Sequence, residues 1–201
     1  SVAKQKFPRT TVIKETKRGP AAARNAGAKV ARGEFLAFVD ADCRVPEDWW
    51  QRVEKNFSGS PQLAMVNGPY RYFEAQSVRA RLIYYVTNEL TGRFAEFFYR
   101  RLLGRGVMAF GGDMVVRKTA FQRIRGFDEQ FDFYGEDVDI ANRLMREGEV
   151  RFNPEIWLYS SVRRLKQAGH LRMWFVYSFN GLAVGLFGKV LFKDKKYRPF
   201  R

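Results

Sequence analysis

An α/β fold, with a mostly parallel sheet flanked by helices, is what this 201-residue sequence predicts, and three observations carry that expectation. A β-branched run at residues 10–15 precedes an Ala-rich stretch from Pro20 to about Arg32, and the apolar run 34–39 follows it. Strand, helix and strand in that order mark a parallel pair, because parallel neighbours need a crossover. The run Phe35-Leu36-Ala37-Phe38-Val39 is continuous rather than alternating, as befits a strand covered on both faces. With 46% hydrophobic and 16% aromatic residues, the chain has material for one sizeable core.

The first helix opens at Gly19-Pro20, where proline's missing N–H had no intrahelical partner, and Gly33 ends it. Asp40-Ala41-Asp42 closes the strand that follows. Pro46-Glu47-Asp48 starts a second helix with acids in its first turn, and Trp49, Trp50, Val53 and Phe57 form its apolar face. Leu63 to Gly68 is the next strand. From Ser77 to about Leu103, Leu82, Tyr85, Val86, Leu90, Phe94, Phe97, Phe98 and Leu102 recur at helical spacing among basic residues, which fits either a core-packing or an interfacial helix. Gly111-Gly112 turns the chain into a short strand ending at Arg117, and residues 118–125 are a helical turn or two closed by Gly126. Gly135-Glu136-Asp137-Val138-Asp139 begins a helix that Gly148 stops, and Phe152 and residues 156–159 are strand-like. Met173 to Gly188 contains 16 uncharged residues, and a polybasic end follows. A bilayer span needs about 20 apolar residues, so a helix lying in an anionic membrane face fits this stretch better, with a buried C-terminal helix as the alternative.

The 36 Lys+Arg against 21 Asp+Glu give a net +15, unevenly spread. Residues 1–32 carry +8, 33–112 carry +1, 113–149 carry −3 and 150–201 carry +9. The composition excludes a disordered polycation. One cysteine, Cys43, excludes an internal disulfide and points to a reducing compartment. No apolar signal region follows the first charges. The basic residues are not interleaved along one helix and no nucleic-acid module is present, so nucleic acid is not the expected partner. Walker A and dinucleotide-binding fingerprints are absent, and the lone His170 has no serine elbow or cysteine motif to serve.

What chemistry the chain holds collects at element ends. Asp40 and Asp42 lie at i and i+2 where a strand leaves its sheet, the end at which open α/β folds bind ligands. Two carboxylates there suit Mg²⁺ or Mn²⁺, and the cation suits a diphosphate; a turn that favours Asp is the alternative. Glu136 and Asp137 sit at a helix start, as caps or as a base kept ionised by the helix terminus. Arg163-Arg164 could grip a diphosphate or form a solvated basic turn.

Four motifs in order resemble family 2 glycosyltransferases of the GT-A fold: residues 18–27 (RGPAAARNAG), 31–42 (ARGEFLAFVDAD), 110–113 (FGGD), and 126–129 (GFDE) leading to 135–139 (GEDVD). The resemblance covers residues 1 to about 165. It implies a GT-A Rossmann-like domain over 1–165, beyond which the uncharged stretch and the basic end read as a membrane-associated helical extension with a basic tail over 166–201. It further implies a nucleotide-sugar donor such as a UDP- or GDP-sugar, a divalent cation, a lipid-linked or glycan acceptor, and inversion at the anomeric carbon. By position, Asp40 resembles the residue contacting ribose or metal, and Asp42 the metal ligand. Arg24 and Asn25 fall in the nucleotide pocket, Asp137 at the base with Glu136 beside it, and Gly112-Asp113 on the acceptor side. Arg163 and Arg164 resemble the diphosphate-binding residues. The family's first two strands do not occur, so the domain is expected to be truncated at its N-terminus. A histidine that many relatives place after the last core strand is replaced here by Tyr159-Ser160-Ser161.

The expectation is a metal-assisted inverting transferase at the cytoplasmic membrane face, peripheral or attached through its C-terminal segment. The rival expectation is a non-catalytic membrane- or polyanion-binding protein that keeps a degenerate form of the fold.

Overall fold

The structure is a computed structural model describing residues 9–75, 77–103, 109–131, 135–163 and 169–192. Helix α1 (Pro20–Val30) carries proline at its start and buries Ala21, Ala22 and Ala28, small side chains that let it lie close on the sheet. Strand β1 (Phe35–Val39) follows, then a tight turn and β2 (Cys43–Arg44). Helix α2 (Trp49–Ser58) buries Trp49, Val53 and Phe57 at 3–4 spacing. Strands β3 (Leu63–Asn67) and β4 (Tyr70–Tyr72) lead into α3 (Val78–Tyr84), a π-helical turn (Tyr85–Leu90) and α4 (Thr91–Leu103). The second half comprises β5 (Asp113–Arg117), α5 (Lys118–Arg123), α6 (Glu136–Leu144), β6 (Glu149–Phe152), a 3₁₀ turn (Pro154–Ile156), β7 (Leu158–Ser160) and α7 (His170–Phe187).

Four strands form the main sheet in the order β1-β5-β3-β6. Strands β1, β3 and β6 run the same way, and β5 is inserted in reverse, so β1–β5 and β3–β5 pair antiparallel while β3–β6 is parallel. Side chains alternate across the sheet, as period 2 requires. Leu36, Phe38, Met65, Met114 and Val116 face α1, α5 and α6 with Phe121, Phe127, Ile140 and Leu144. Phe35, Val66 and Val115 face α2 with Trp49, Val53 and Phe57. Helices cover both faces of the central strands β3 and β5, but β1, at the sheet edge, buries Leu36 and Phe38 on one face and leaves Ala37 and Val39 exposed on the other, so its unbroken apolar run does not mark a strand covered on both faces.

A smaller sheet, β2-β7-β4, stands beside the first. Its pairs Cys43↔Ser160 and Tyr72↔Ser160 bring the turn after β1, the aromatic strand β4 and the segment after β7 together.

Two expectations need correction. Residues 10–15 form no strand; residues 9–18 are exposed, and β-branching alone does not make a strand without a packed partner. The Asp40–Asp42 pair is not on β1 but in the turn beyond it, closed by Cys43 N–H donating to Asp40 O at 3.0 Å. The stretch 77–103 is helical throughout as expected, with the π turn in its middle. No helix among the described residues is long and apolar enough to cross a membrane.

Candidate active site

A cavity of about 600 Å³ lies where the ends of α1, β1, β4 and α6 meet the inner faces of the π turn, α4 and α7. Arg24, Asp40, Asp42, Glu136, Asp137 and Arg163 line it, so most of the charged residues marked in the sequence converge on one space.

Arg24 is the link between them. From α1 its Nη1 donates to Glu136 Oε1 at 2.9 Å and its Nη2 donates to Asp40 Oδ1 at 3.0 Å. Burial pulls against its charge, but Glu136 and Asp40 outweigh that and hold the guanidinium above its ordinary pKa. The next residue, Asn25, does not line the cavity. Its amide clamps the loop after α5, donating to Phe127 O at 3.0 Å and Glu129 Oε1 at 2.8 Å and accepting from Phe127 N–H at 2.9 Å.

Asp40 is fitted against Gly112. A Cβ at residue 112 would stand 2.4 Å from the Asp40 carboxyl and 2.7 Å from the Tyr70 hydroxyl, which accepts the Gly112 N–H at 2.7 Å. Asp113, one residue on, points away from the cavity. It is fully buried, and neither carboxylate oxygen has a hydrogen-bond partner. Burial pushes its carboxyl well up, against the pull of Trp49 and Arg52.

Glu136 and Asp137 occupy the first turn of α6, behind Gly135 in a left-handed conformation. Neither is the cap residue, which is Gly135. Glu136 is 6% exposed. Burial first, and then the charge of Asp137, push its carboxyl up to about 7 against the pull of Arg24. Asp137 is half-buried, and its Oδ1 accepts the Val138 N–H at 2.9 Å. Burial raises its carboxyl, opposed by Arg24 and by the N–H groups of Val138 and Gly111. The helix terminus thus limits the shift but does not keep Asp137 at an ordinary carboxylate value. The third acid, Asp139, turns aside to pair with Arg143 at 2.6 Å, and Arg143 also caps the carbonyls of Ile124 and Gly126.

Arg163 stands at the cavity wall, whereas Arg164 lies outside the described residues. Among the described residues no three His, Cys, Asp or Glu form a metal-holding cluster. Asp40 and Asp42 offer oxygen only, and burial pushes the neighbouring Cys43 thiol up to about 12. The donor chemistry suits a hard divalent cation that completes its shell from phosphate and water.

Sequence reasoning missed the aromatic wall. Tyr70 and Tyr72 of β4 and Trp174 and Tyr177 of α7 line the cavity beside Asn88 of the π turn. The spacing of Tyr70 and Tyr72, two residues apart on one face of a strand, was the available signal.

Comparison with known proteins gives the family and the fold. Residues 1–125 match the family described as "Glycosyl transferase family 2", and residues 94–171 match the one described as "N-terminal domain of galactosyltransferase". A pre-mycofactocin glycosyltransferase of Mycobacterium tuberculosis is 30% identical over 142 residues, covering 68% of this chain and 29% of its own length. An uncharacterized glycosyltransferase of Haemophilus influenzae is 28% identical over 142 residues, covering 70% of this chain and 46% of its own. The chain spans less than half the length of these curated relatives. Among solved structures, a mannosyltransferase from Pyrobaculum calidifontis in complex with GDP-Man and Mn²⁺ superposes with a TM-score of 0.54 at 21% identity, covering 87% of this chain and 48% of its own. S. aureus TarS gives 0.51 at 14%, covering 87% and 32%. These two share the fold, a mixed sheet flanked by helices. With the family match extending over more than half of the sequence, the chain belongs to glycosyl transferase family 2.

Proposed function

We propose that this chain transfers a sugar from a nucleotide-diphosphate donor to an acceptor hydroxyl, with inversion at the anomeric carbon. The observation that carries the reading is the convergence of the Asp40–Asp42 turn, Arg24 and the Glu136–Asp137 pair on one cavity. Asp137 takes the acceptor proton as the acceptor oxygen bonds to the anomeric carbon and the bond to the diphosphate breaks on the opposite face. Asp42, with Asp40, would hold Mn²⁺ or Mg²⁺, whose role is to neutralise charge on the leaving diphosphate. Arg24 orients Asp40 and Glu136, and Arg163, with Arg164, supplies positive charge to a UDP- or GDP-sugar. The family matches and the GDP-Man and Mn²⁺ complex of the mannosyltransferase support this class of donor and ion.

We place the transfer at the cytoplasmic membrane face, with residues 1–165 as the transferase domain and 166–201 as its peripheral attachment. Exposed Phe175, Phe179 and Phe187 on α7 and the +9 charge of residues 150–201 support that placement.

Asp137→Asn in the full-length protein tests the reading. Transfer is expected to fall by about 10²–10⁴-fold with donor binding nearly intact, because a base is lost and not a donor contact. Equal loss of transfer and donor binding would overturn the assignment. Asp42→Ala is expected to weaken Mn²⁺-dependent donor binding in a calorimetric titration, and an unchanged titration removes its metal role.

A further inference from the structure

Three helices carry large apolar side chains that stand exposed to a third or more of their surface. Along α3, the π turn and α4, Leu82, Val86, Leu90, Phe94 and Phe97 recur every three or four residues and are 42–67% exposed. Along α7, Phe175, Phe179 and Leu186 repeat the pattern at 44–52% exposed, and Leu182, 36% exposed, lies where this face meets the cavity. Stripes of this size are unusual on a face that meets only water.

The segment after α7 adds to the second face and is held there. Asn180 is buried, its Oδ1 accepting the N–H groups of Leu191 and Phe192 at 3.1 and 2.8 Å and its Nδ2 donating to Phe192 O at 2.8 Å. The chain therefore folds back beyond Gly188 and sets exposed Leu191 and Phe192 alongside α7, with the Phe192 ring edge-on to Phe179.

Charge accompanies both faces. Arg79 and Arg81 on α3 and Arg93 and Arg101 on α4 are exposed, with Arg93 paired to Glu89 at 3.1 Å, and so are Arg172 on α7 and Lys189 just beyond its end. The sequence from 193 to 201 adds five basic residues and one acid. An apolar stripe edged with cations is complementary to an anionic lipid surface.

The inner faces of the same helices build the neutral part of the cavity. Thr87, Asn88, Thr91 and Ala95 stand on one side and Trp174, Tyr177 and Ser178 on α7 complete it, all uncharged, whereas the carboxylates and arginines come from α1, the β1 turn, α6 and Arg163. Ala95 packs against Val138 and Val184, so α4 and α7 meet at α6, the helix that carries Asp137.

We propose that α3–α4 and the clamped α7 segment together rest on an anionic lipid surface, and that the acceptor is an amphiphile resident in that surface. Its hydroxylated headgroup enters the neutral part of the cavity and reaches Asp137, while its apolar tail stays with the stripes. This rests on the transferase reading for Asp137, and it adds the class of acceptor and a second docking helix.

The test uses the full-length protein with vesicles of phosphatidylcholine, alone or with roughly a third phosphatidylglycerol. Binding is expected only to the anionic vesicles and to weaken with salt. A variant carrying Phe94→Ser, Phe175→Ser and Phe179→Ser changes only exposed side chains outside the cavity lining. It is expected to lose vesicle binding at least tenfold while hydrolysing UDP- or GDP-sugars at the parent rate in solution. Arg79→Glu with Arg81→Glu should lose binding in parallel, which separates docking from any folding defect. In the presence of anionic vesicles, dodecyl glycosides are expected to be better acceptors than methyl glycosides, and the triple variant should abolish that preference. Unchanged binding by the triple variant, pairing of the two stripes in a dimer that the variant dissociates, or equal use of both glycosides would overturn the proposal. Vesicle binding as expected, without turnover of any donor, would overturn the transferase reading and the acceptor class with it, and leave the docking surface standing.

Discussion

Arg24 joins parts of the chain 16 and 112 positions away, and its removal would strand a buried acid. Glu136 keeps almost no contact with water, so Arg24→Met leaves its carboxyl without a partner and drives it toward the protonated form, whereas the partly exposed Asp40 loses less. A loss of about 1–3 kcal/mol is expected by urea denaturation, with more than half recovered in the Arg24→Met, Glu136→Gln double variant. An unchanged urea midpoint in the single variant would show that the pair does not hold the site together. Gly112→Ala tests the other side of Asp40. The added methyl collides with the Asp40 carboxyl and with the Tyr70 hydroxyl, so donor affinity should fall more than tenfold and the melting temperature should fall with it. Unaltered donor affinity would remove Asp40 from the donor site. At this scale, of the five residues that meet at the cavity, the sequence marked Asp40, Asp42, Glu136 and Asp137 by their place at element ends and Arg24, inside α1, only through the family resemblance. It could not separate Arg24 from Asn25. Adjacent helical residues point about 100° apart, and only the packing of α1 decides which one meets the cavity. Asp113 shares a strand face with Val115 and not with Met114, and that alternation sends it toward Trp49 and away from the acceptor side.

The contact of α6 with α7 is what turns a C-terminal helix into a cavity wall. Gly135 makes the approach possible in two ways. Its φ of +88° is a conformation that side chains resist, and a Cβ there would stand 2.6 Å from Val184 Cγ2. Gly135→Ala is therefore expected to destabilise the protein by about 1–2 kcal/mol and to weaken donor binding, since Glu136 and Asp137 follow directly. Gly181 supplies the control on the same contact. It lies inside α7 at ordinary helical φ, and a Cβ would rest 3.7 Å from Val138, an ordinary contact. Gly181→Ala should be neutral or stabilising by up to about 1 kcal/mol. Thermal melts of the two variants check the pair, and equal destabilisation by both would show that space, not backbone conformation, limits this contact. Elements with a strong apolar period, such as β1, α2, 77–103 and α7, were legible in the sequence. The two-residue β2 and three-residue β4 were not, being held by cross-strand pairs with β7 that no local pattern announces. The reversal of β5 is equally a property of how the chain returns from α4 and not of the residues Asp113–Arg117 themselves.

Over the whole molecule, the acidic island of residues 113–149 sets a conflict between stability and the proposed chemistry. Burial raises three of its carboxyls: Glu136 to about 7, and Asp137 and Asp113 above their ordinary values. In the unfolded chain these groups release their protons near pH 4, at about 4.3 for Glu and 3.9 for Asp. Between there and neutrality the folded protein holds more protons than the unfolded one, so its stability falls as pH rises through that window. Stabilising cations do not reverse the sign, because the pull of Arg24 is already contained in the raised value of Glu136. Transfer runs the other way, since Asp137 must be ionised to accept a proton and its ionised fraction grows with pH. The expected result is a melting temperature that declines from about pH 5 to about pH 7.5 while transfer under saturating donor increases. Glu136→Gln should flatten part of the stability slope and leave the part that comes from Asp137 and Asp113. Calorimetry across this range, paired with initial rates in the same buffers, decides the matter. A melting temperature that rises toward neutrality would show that these carboxyls are ionised more easily in the folded protein than in the unfolded chain, and the burial argument for the base would fall with it.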